Sequence, residues 1–507
     1  MQETRTYHAI VIGGGSAGCA AAARLSEDPD RHVLLLEAGP DPQPIPEAVA
    51  DGTRSTRAVM ESPYIVMYPT ERKGDGSTFQ NIAGRVMGGG SSVNATAVVR
   101  PTKYDLDSWA ARGNPGWTYD ECLPVLKRIE SDQDYGDDSI HGNEGPLYVK
   151  RPFRVDAKSA SEPVQAFIDR AVAMGLPMCP DLNVPDPLGV CGSAYNTKDG
   201  VRQSTTVAYL DPARGRPNLH VVADATVVAL AMDGTRVAGV TYEREGETLT
   251  AVGDNVVLSA GVYHSPQILM LSGIGPAAEL QRLGIDVVHA LDGIGENYQD
   301  HATVEMTFKG TSDFNPDWDI PRFRLMIKSD PSRPCGNFHL FMRPPTKVEG
   351  LVQMMPVSAN LVEQTARGRV TLSSTDPRDL PEIDDAMLQD PADVEAMLTA
   401  MRFIADMIQD ESMKAYYGPM LHPAPGEDWA EYARSTHGSY HHGVGTCMMG
   451  PASDPMAVVD HKLRVHGIDN LYVADASIMP TVTHANTNIT SIMIGERVSD
   501  FIKESGG

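Results

Sequence analysis

A glycine-rich turn near the N-terminus constrains the fold of this chain more than any other feature. Residues 9–12 form an apolar run whose length and β-branched content predict a buried strand. Gly13, Gly15 and Gly18 follow it with the spacing G-x-G-x-x-G, and an alanine-rich segment after them predicts a helix. A second apolar run, which ends at Glu37, predicts another strand. The order strand, turn, helix, strand predicts an α/β unit.

The glycines and Glu37 also have the pattern of a dinucleotide-binding site. Gly13 allows a tight turn, Gly15 lets the backbone approach a pyrophosphate, and Gly18 lets helix and strand pack closely. The helix N-terminus offers free N–H groups and the positive end of its dipole to phosphates. Glu37 stands about 20 residues further on, where a carboxylate accepts hydrogen bonds from ribose hydroxyls. The pattern favours a dinucleotide over an ordinary loop and leaves open whether it is FAD or NAD.

The length and charge of the chain exclude several classes of protein. Its 507 residues predict two or more structural units, or one interleaved pair. No segment approaches about 18 consecutive apolar residues, so we expect no membrane-spanning helix and no membrane partner. The formal net charge of −25 repels nucleic acid and anionic lipid, so neither is an expected partner.

The N-terminus and the cysteines predict a cytoplasmic location. The N-terminal residues have no basic region before a long apolar run and no small-residue cleavage site, so we expect no secretory signal. The cysteines are scattered without a C-x-x-C pair, which fits reduced thiols in the cytoplasm. They are Cys19, Cys122, Cys179, Cys191, Cys335 and Cys447.

The middle of the chain predicts further strands and two helices. Residues 218–259 contain short strands with a hairpin turn at Asp233-Gly234, and a helix is expected to begin near Pro266. Residues 390–409 predict an amphipathic helix. Antiparallel strands are predicted at 304–310, 338–345, 351–361 and 368–374. Because no internal repeat or low-complexity linker separates these segments, the structural units are expected to interleave.

The C-terminal segment returns to the α/β pattern. A strand that ends at Asp475 is followed by a turn and a helix, for which Asn486, Thr487 and Asn488 are suitable N-cap residues. We expect the positive end of this helix to face an anion. Its buried surface is expected to come from Ile489, Ile492, Met493, Val498, Phe501 and Ile502.

Two adjacent histidines, His441 and His442, stand in the glycine-rich segment SYHHGVGTCMMG of residues 439–450. A histidine pair without cysteine or carboxylate at ligand spacing does not indicate a metal site, and we predict none. One packed histidine beside one surface histidine would be an ordinary structural arrangement. A catalytic histidine is the alternative, and the rest of the chain decides between them.

Five segments together resemble the glucose–methanol–choline (GMC) family of flavin oxidoreductases. They occur in the family's order and span almost the whole chain: VIGGGSAG with EAGP, GRVMGGGSSVN, SAGVYHSPQILMLSGIG, HHGVGTCMMG and VADASIMPTVTHANTNITSIMIGER. The resemblance implies FAD rather than NAD. It also implies an α/β fold, α+β overall, in which a Rossmann-like FAD-binding domain interleaves with a substrate domain. The substrate domain is expected to be built on an antiparallel sheet that covers the flavin ring.

The resemblance implies domain boundaries and a set of cofactor-binding residues. The FAD-binding domain is expected to comprise 1–150, 187–302 and 440–507, and the substrate domain 151–186 and 303–439. The expected cofactor-binding residues are Gly13, Gly15, Ser16, Ala17, Gly18, Glu37, Ala38, Met87, Asn94, Ala95, Thr96, Ala97, Val227, Asp475, Ala476, Asn486 and Thr487.

Some of these residues resemble family positions with known roles. The backbone of Val227 corresponds to the position that holds adenine, and Asp475 to a pyrophosphate contact. Asn486 and Thr487 correspond to residues at the pyrimidine end of the flavin, where a helix N-terminus stabilises negative charge. Choline-oxidising members attach FAD to the histidine of an SSHN segment. Val93 stands at that position here, so we expect noncovalent FAD.

The resemblance makes His442 the expected catalytic histidine and Asn486 its partner. Alcohol oxidation removes the hydroxyl proton and transfers a hydride from carbon to flavin N5, and an imidazole with a near-neutral pKa suits the proton. Asn486 can hydrogen-bond the substrate oxygen. Tyr440 and His441 are expected to line the substrate pocket. If the segment is extended, His441 points away from the face of His442 and is either a substrate contact or a structural residue.

The substrate is predicted from two local comparisons with family members. Choline oxidases use the glutamate of a DHPE segment against the quaternary ammonium, whereas this chain has DHAT with Thr303 in that place. Glu305, on the same face of a strand, is the alternative carboxylate. The segments SDQDYGDDSIHGNEGP and DASIMPTVTHANTN are more similar to bacterial oxidases of hydroxymethylfurfural and related aryl or heteroaryl alcohols. We therefore expect oxidation of a small primary alcohol of that class to its aldehyde, with O2 reduced to H2O2.

Two other activities remain open. The same oxidation could pass electrons to a quinone or another acceptor, including from choline-like substrates. Some GMC members are hydroxynitrile lyases, which keep FAD without net redox chemistry. The oligomeric state is open as well.

Overall fold

A computed structural model describes residues 6–52, 60–72, 76–157, 160–311, 323–349 and 353–506 of the chain. Its two large sheets have seven and eight strands, and each carries its own hydrophobic core. Strands of the two sheets alternate along the sequence, so the chain passes repeatedly from one sheet to the other.

The seven-stranded sheet forms the α/β part. Its strands in spatial order are Leu219–Val222, Val33–Leu36, Thr6–Ile12, Glu247–Leu258, Arg236–Arg244 and Thr226–Asp233, and Leu471–Val473 also pairs with Glu247–Leu258. The first four strands and Leu471–Val473 run parallel. Val33–Leu36 has the sequence VLLL and is buried throughout, as a parallel strand covered on both faces must be.

The eight-stranded sheet is antiparallel except at one edge. Its strands in spatial order are Tyr417–His422, Ala302–Gly310, Met354–Leu361, Phe338–Met342, Phe323–Ile327, Gly189–Gly192 and Met178–Cys179, and Gly438–Ser439 also pairs with Ala302–Gly310. The exception is Met178–Cys179, which runs parallel to its neighbour.

Alternate residues of this second sheet face opposite sides. Leu325 and Leu340 are register partners and pack into the apolar core beneath the helix Pro391–Ile408. Their neighbours Arg324 and His339 point to the other side, because successive side chains of a strand alternate. The sheet therefore has an apolar face against helices and a partly polar face against the first sheet.

The remaining elements connect and cover the two sheets. The α-helices are Ser16–Leu25, Glu47–Ala50, Lys103–Ala111, Tyr119–Ile129, Glu162–Ala173, Asp211–Ala213, Gly261–Leu271, Ala277–Arg282, Pro391–Ile408, Trp429–Thr436 and Thr487–Glu504. Two-stranded pairs are Ile65–Glu71 with Thr78–Gly84, Ala97–Val98 with Ala194–Tyr195, Thr197–Lys198 with Val201–Arg202, Ile274–Gly275 with His289–Ala290, Arg369–Thr371 with Glu382–Asp384, and Glu130–Asp132 with Leu147–Val149. None of the helices in the described ranges has the length and hydropathy needed to cross a membrane.

The predicted fold class is confirmed, and several element boundaries differ from the prediction. The helix expected near Pro266 begins at Gly261, so Pro266 lies inside it. The strand expected to end at Asp475 ends at Val473. The strand predicted over 351–361 begins at Met354, and residues 351 and 352 lie outside the described ranges. The six apolar residues predicted to bury the C-terminal helix are all buried.

Candidate active site

A cavity of about 840 Å³ lies between the two sheets. On one side it is lined by residues at the carboxyl ends of parallel strands, among them Gly13, Glu37 and Asp475. On the other side it is lined by Arg343 and Tyr440, which follow strands of the eight-stranded sheet. Open α/β sheets bind their ligands at the carboxyl ends of the strands, so this cavity is the candidate site.

The three glycines of the first turn have different surroundings. Gly13 has a φ of +98°, in the region that glycine adopts without strain. A Cβ on Gly18 would stand 1.9 Å from the carbonyl oxygen of Gly13, so only glycine lets the helix Ser16–Leu25 approach so closely. A Cβ on Gly15 would meet nothing within 4 Å, because this residue faces the cavity. Gly13 and Gly18 therefore have the predicted packing roles, and Gly15 leaves space where a pyrophosphate was expected.

Glu37 is buried just beyond the end of the strand Val33–Leu36. One carboxylate oxygen accepts a hydrogen bond from the N–H of Gly14 and the other from that of Gly39, each at 2.7 Å. Burial raises the pKa of the carboxyl to about 7, although the two N–H groups favour the charged form. Each oxygen keeps further acceptor capacity, so the carboxylate can still bind ribose hydroxyls in the cavity.

Most of the predicted cofactor-binding residues line the cavity. They are Gly13, Gly15, Ser16, Ala17, Glu37, Ala38, Asn94, Ala95, Ala97, Val227, Asp475, Ala476, Asn486 and Thr487. Three others lie behind the cavity wall: Gly18, Met87 and Thr96. Val227 precedes a register shift of its strand pair, and a bulge of this kind interrupts the hydrogen-bond ladder beside the cavity.

Two helix N-termini meet at the cavity. The helix Thr487–Glu504 has Asn486 at its N-cap, as predicted, but the Asn486 side chain makes no capping hydrogen bond. The first N–H groups of this helix are therefore free of a side-chain cap. The hydroxyl of Ser16, in the first turn of the other helix, donates to Oδ1 of Asn488 at 2.7 Å. Because helix N-termini favour negative charge, this arrangement suits a phosphate-bearing ligand.

Asp475 holds the start of a third helix beside the same cavity. Its Oδ2 accepts hydrogen bonds from the N–H of Gly261 (2.9 Å) and the hydroxyl of Ser265 (2.6 Å). Its Oδ1 accepts from the N–H of Ser477 at 2.8 Å. Burial raises the pKa of this carboxyl, whereas the bonds from the two serines and from Gly261 lower it. Asp475 thus has a structural role in addition to its position on the cavity wall.

Pro266 leaves a carbonyl of the helix Gly261–Leu271 free to bind the segment that follows the two histidines. A proline inside a helix cannot donate to the carbonyl four residues earlier, which here belongs to Val262. The hydroxyl of Thr446 donates to that carbonyl at 2.7 Å. The hydrogen bond fixes the backbone that follows His442 to the helix Gly261–Leu271.

His441 and His442 lie in a turn rather than in an extended strand, so the condition under which their side chains were expected to alternate is not met. His441 has a φ of +64°. Its N–H donates to the hydroxyl of Ser439 (2.7 Å), and the N–H of His442 donates to Oδ1 of Asp300 (2.8 Å). Ser439 in turn donates to Oδ2 of Asp300 at 2.5 Å. The buried carboxylate organises the turn, and both histidines line the cavity.

The ring of His442 is held by a directed chain of hydrogen bonds. Nε2 of His301 lies 2.9 Å from the carbonyl oxygen of Thr483, which only accepts, so Nε2 carries the proton. Nδ1 of neutral His301 is then an acceptor, and it receives the Nδ1–H of His442 at 2.9 Å. Nε2 of His442 keeps its lone pair and lies 3.0 Å from Nδ2 of Asn486. This tautomer presents a basic nitrogen beside Asn486.

Three fully buried rings near the site, those of His301, His339 and His442, have lowered pKa values. Burial lowers the pKa of His301 to about 3 and that of His339 well below its usual range. Burial also holds the pKa of His442 well below 6.5, and His301, His441 and Arg324 add to the effect. All three rings are therefore neutral at physiological pH, and His442 is free to accept a proton.

Arg324 is a further polar residue beside the pair. Its Nη1 donates to Oδ1 of Asn486 at 2.8 Å and lies 3.3 Å from Nδ1 of His339. Sequence reasoning identified His442 and Asn486 but not Arg324, His301 or Asp300. The DHAT segment contains a signal for Asp300 and His301, since these two residues immediately precede the strand Ala302–Gly310. Arg324 has no such signal, because Asn486 lies 162 residues further along the chain and only the tertiary fold brings the two side chains together.

Aromatic and charged side chains surround the cavity next to His442. The ring centroid of Tyr440 lies 4.5 Å from that of His442 and 6.0 Å from that of Phe341. Nε of Arg343 pairs with Glu305 at 3.0 Å, and the hydroxyl of Thr303 donates to Asn360 at 2.8 Å. Glu305, which was the alternative carboxylate for a cation, already has a cationic partner.

A cluster outside the cavity has the composition of a metal site but not its charge balance. The ligand atoms of Glu130, Asp132 and His141 lie within 4.8 Å of one another. Arg100 pairs with Glu130, and Arg151 pairs with Asp132 at 2.8 Å. Because guanidinium groups occupy the carboxylates, we interpret the cluster as a structural ion network.

The chain was compared with family models, curated proteins and solved structures. The models of the GMC oxidoreductase N- and C-terminal domains match residues 7–303 and 364–495. The 5-(hydroxymethyl)furfural oxidase of Methylovorus sp. (strain MP688) is 34% identical, with 97% of this chain and 98% of that protein covered. Choline oxidase of Arthrobacter globiformis is 34% identical, with 99% and 95% covered. The crystal structure of pyridoxine 4-oxidase from "Mesorbium loti" has a TM-score of 0.91 at 29% identity, with 98% and 99% covered.

The cavity fits the cofactor of this family. Gly15 has open space where a side chain would block a pyrophosphate, whereas Gly13 and Gly18 are closely packed. Glu37 faces the same cavity and has acceptor capacity for a ribose. The start of the helix Thr487–Glu504 supplies the positive end of a dipole near Asn486. The matching family models and relatives, together with the geometry of this site, show that the chain belongs to the GMC family of FAD-dependent alcohol oxidoreductases.

Proposed function

We propose that this protein oxidises a small primary alcohol to its aldehyde, with His442 as the general base and Asn486 as its partner. The observation that carries the proposal is the fixed tautomer of His442. Its Nδ1–H is committed to His301, so Nε2 is a lone-pair nitrogen that faces the cavity beside Asn486. Bound FAD supplies the two-electron acceptor for the hydride that leaves the alcohol carbon.

The chain's own residues divide the remaining work. Nε2 of His442 takes the hydroxyl proton of the alcohol, and the amide N–H of Asn486 donates to the same oxygen. The resulting imidazolium keeps its bond from Nδ1–H to His301. His301 stays neutral because burial lowers its pKa to about 3, so it accepts this bond without taking the proton. The proton therefore remains at Nε2 of His442 while the hydride leaves.

The substrate that the pocket suits best is an aryl or heteroaryl alcohol. The ring centroid of Tyr440 lies 4.5 Å from that of His442, Phe341 packs against Tyr440 at 6.0 Å, and His441 lines the same cavity. The carboxylate of Glu305 is paired with Arg343, and Thr303 stands where a choline oxidase has glutamate. A quaternary ammonium would therefore lack a free counterion here. Relatives named for hydroxymethylfurfural and pyridoxine support the same class.

We also propose that the FAD is held without a covalent bond. Val93 lines the cavity at the position of the linking histidine, and valine has no nucleophilic atom. The binding residues are those predicted from the sequence, including Gly15, Glu37 and Asn486. Acid denaturation should therefore release all flavin into the supernatant, and flavin retained in the protein pellet would contradict this attachment.

Dioxygen is the proposed acceptor in the second half of the reaction, with H2O2 as the co-product. We propose the cytoplasm as the location, since the six cysteines are free thiols. The proposed domain boundaries are those given above, and the partners are a small alcohol and the electron acceptor.

The proposal is tested by mixing the holoenzyme anaerobically with a panel of alcohols and following flavin absorbance. We expect hydroxymethyl-furans, benzylic alcohols and pyridine methanols to bleach the flavin, and choline to leave it oxidised. The same panel in air should give H2O2 in equal amount to aldehyde. Bleaching without H2O2 would assign a quinone or protein acceptor, and a flavin that no alcohol bleaches would favour lyase chemistry.

A further inference from the structure

Arg324 is a buried cation beside the proposed base. It lies on the strand Phe323–Ile327, and its side chain bonds Asn486 and His339, neither of which is acidic. In the part of the chain that the structure describes, Arg324 forms no ion pair with a carboxylate. Arg343, which follows the strand Phe338–Met342 and lines the cavity, does have one in Glu305. An unpaired buried guanidinium is costly, so its position beside the proposed base calls for an explanation.

The contact with Arg324 determines which way the Asn486 amide points. A guanidinium only donates hydrogen bonds, so the amide oxygen must face Arg324 and the amide NH2 must face His442. When His442 is neutral, this orientation also suits its Nε2, which accepts a hydrogen bond from the amide NH2 of Asn486. While His442 is neutral, the Thr483 carbonyl and Arg324 therefore favour the same hydrogen-bond arrangement: Nε2 of His442 accepts, and the amide NH2 of Asn486 donates.

Once His442 has taken a proton, Nε2 of His442 and the amide NH2 of Asn486 are both donors and no longer suit one another. Protonated Nε2 is a donor, and the best partner for it would be the amide oxygen of Asn486. A reversed amide would turn its NH2 away from the substrate oxygen and would stabilise the imidazolium. Reversal is opposed only if Arg324 holds the amide oxygen by its charge-assisted hydrogen bond.

We propose that Arg324 is a positioning residue that prevents the Asn486 amide from reversing when His442 is protonated, so that the amide NH2 stays on the substrate oxygen through the reaction. This inference rests on the proposed alcohol oxidation. The same positive charge balances the negative charge that develops on the alcohol oxygen as its proton leaves.

The groups that surround His442 agree with this role. His301 and His441 are neutral neighbours of its ring, and Asp300 accepts a hydrogen bond from its backbone N–H. Arg324 is the permanent positive charge among the neighbours that lower the pKa of His442. Removal of Arg324 therefore raises that pKa in two ways, through the lost charge and through a reversed amide that accepts from Nε2–H.

The test compares the variants R324Q, R324K and N486A and the double variant R324Q/N486A as holoenzymes with matched FAD content. Anaerobic flavin reduction by one good alcohol is followed between pH 6 and pH 9. For the wild type and R324K we expect a flat profile. For R324Q we expect the rate to begin to fall at a higher pH than in the wild type, by about tenfold for each pH unit below the midpoint, because the base is lost by protonation. The double variant should be no slower than N486A at pH 9, since Arg324 acts through the amide.

The second readout does not need a substrate. Protein labelled with 15N in histidine is titrated by NMR, and the ring signals of His442 report its protonation. We expect the midpoint in R324Q to rise by about one to two pH units above the wild type. R343Q is the control, because Arg343 lines the cavity and pairs with Glu305 rather than with Asn486, and the His442 signals of R343Q should titrate as in the wild type.

The outcomes separate this inference from the proposed function. A flat pH profile and an unchanged His442 titration in R324Q would overturn the role of Arg324, whatever the alcohol panel shows. Independent, multiplicative effects of R324Q and N486A would overturn it as well, since the two residues would then act separately. If no alcohol reduces the wild type but the titration still shifts in R324Q, the proposed function fails and the coupling of Arg324 to His442 stands.

Discussion

Buried histidines occur in two environments in this protein. His141 and His484 are paired with carboxylates, and although burial alone would lower their pKa values, these partners raise them to about 9 and about 10. His301, His339 and His442 are also buried, but their ring nitrogens bond no carboxylate in the described ranges, and their pKa values are lowered. The first group consists of fixed cations and the second of neutral rings.

The difference shows how the fold assigns roles to one side chain. The bond between Nδ1 of His484 and Asp105 is 2.6 Å long, and it makes His484 part of an ion pair. The corresponding nitrogen of His442 meets another imidazole instead, so it can hold a ring orientation without fixing a charge. A base must exchange a proton, and a histidine that is already paired with a carboxylate is a poor candidate for that task.

The largest expected effect is that of His442→Ala. We expect flavin reduction by alcohol to slow by about two to four orders of magnitude, since this is the usual contribution of a positioned general base. FAD content should match that of the wild type, and stopped-flow absorbance under anaerobic conditions measures the rate. A loss smaller than tenfold at full FAD occupancy would place the base elsewhere.

His301→Phe is expected to have the next largest effect on the same step. Phenylalanine keeps the ring volume but removes the acceptor for Nδ1–H of His442, so the ring loses its fixed orientation. We expect a decrease of about 10- to 100-fold in flavin reduction, which is typical of a misplaced catalytic group. An unchanged rate would show that the bond between the two rings does not position the base.

Asp105→Asn tests the acid-paired group and should act on stability rather than on chemistry. It leaves the buried cation of His484 without its partner, which costs about 3–5 kcal/mol. The free energy of unfolding from urea titration measures the effect. Asp156→Asn is the control, because Asp156 forms an exposed pair with Arg154 and should change stability by about 1 kcal/mol or less. Equal losses in the two variants would contradict the contrast between buried and exposed pairs.

The two groups of histidines should change the stability of the folded protein with pH in opposite directions, because folding raises the pKa values of the first group and lowers those of the second. The pKa values of His141 and His484 are raised in the folded protein, so their contribution to stability is complete below about pH 6.5 and is lost as the pH rises through 9 and 10. The melting temperature should therefore fall between pH 8 and pH 10. The fall should be smaller in Asp105→Asn, whose histidine is no longer stabilised as a cation.

His441 is more exposed than the histidines of either group, although its pKa is also lowered, to about 4, and it should show the smallest effect. It lines the cavity without a ring contact to His301, and its backbone conformation sets the turn. We expect His441→Asn, which tolerates the left-handed region, to change KM several-fold and kcat by less than about threefold. A kcat loss larger than that of His442→Ala would reverse the assignment of roles to the two histidines.

Much of the fold and part of the site could be predicted from the sequence. The glycine turn and Glu37 are local patterns, so a short segment was enough to locate them. His442 and Asn486 were found because the chain resembles a family, and not because of any spacing between them. Arg324 could not be found in either way, since its neighbour Asn486 is distant in sequence and only the packing of the C-terminal helix start against the second sheet joins them.

Local rules also failed where tertiary contacts replaced them. Pro266 suggested a helix start, but the helix begins at Gly261 because Asp475 and Ser265 satisfy its first N–H groups. The sequence left open whether the segment around His441 is extended, because it does not show that Asp300 and Ser439 bind the backbone there.

Pro266 and Thr446 have a consequence for how this sequence can diverge. The two residues depend on each other, because the proline has no N–H for the carbonyl of Val262 and the threonine hydroxyl donates to that carbonyl instead. An alanine at 266 would restore the helical N–H bond to the Val262 carbonyl, and the hydroxyl at 446 would no longer be needed to satisfy that carbonyl. We therefore expect a hydroxyl-bearing residue at 446 wherever a homologue keeps proline at 266. Homologues with alanine or another N–H donor at 266 are free of that requirement.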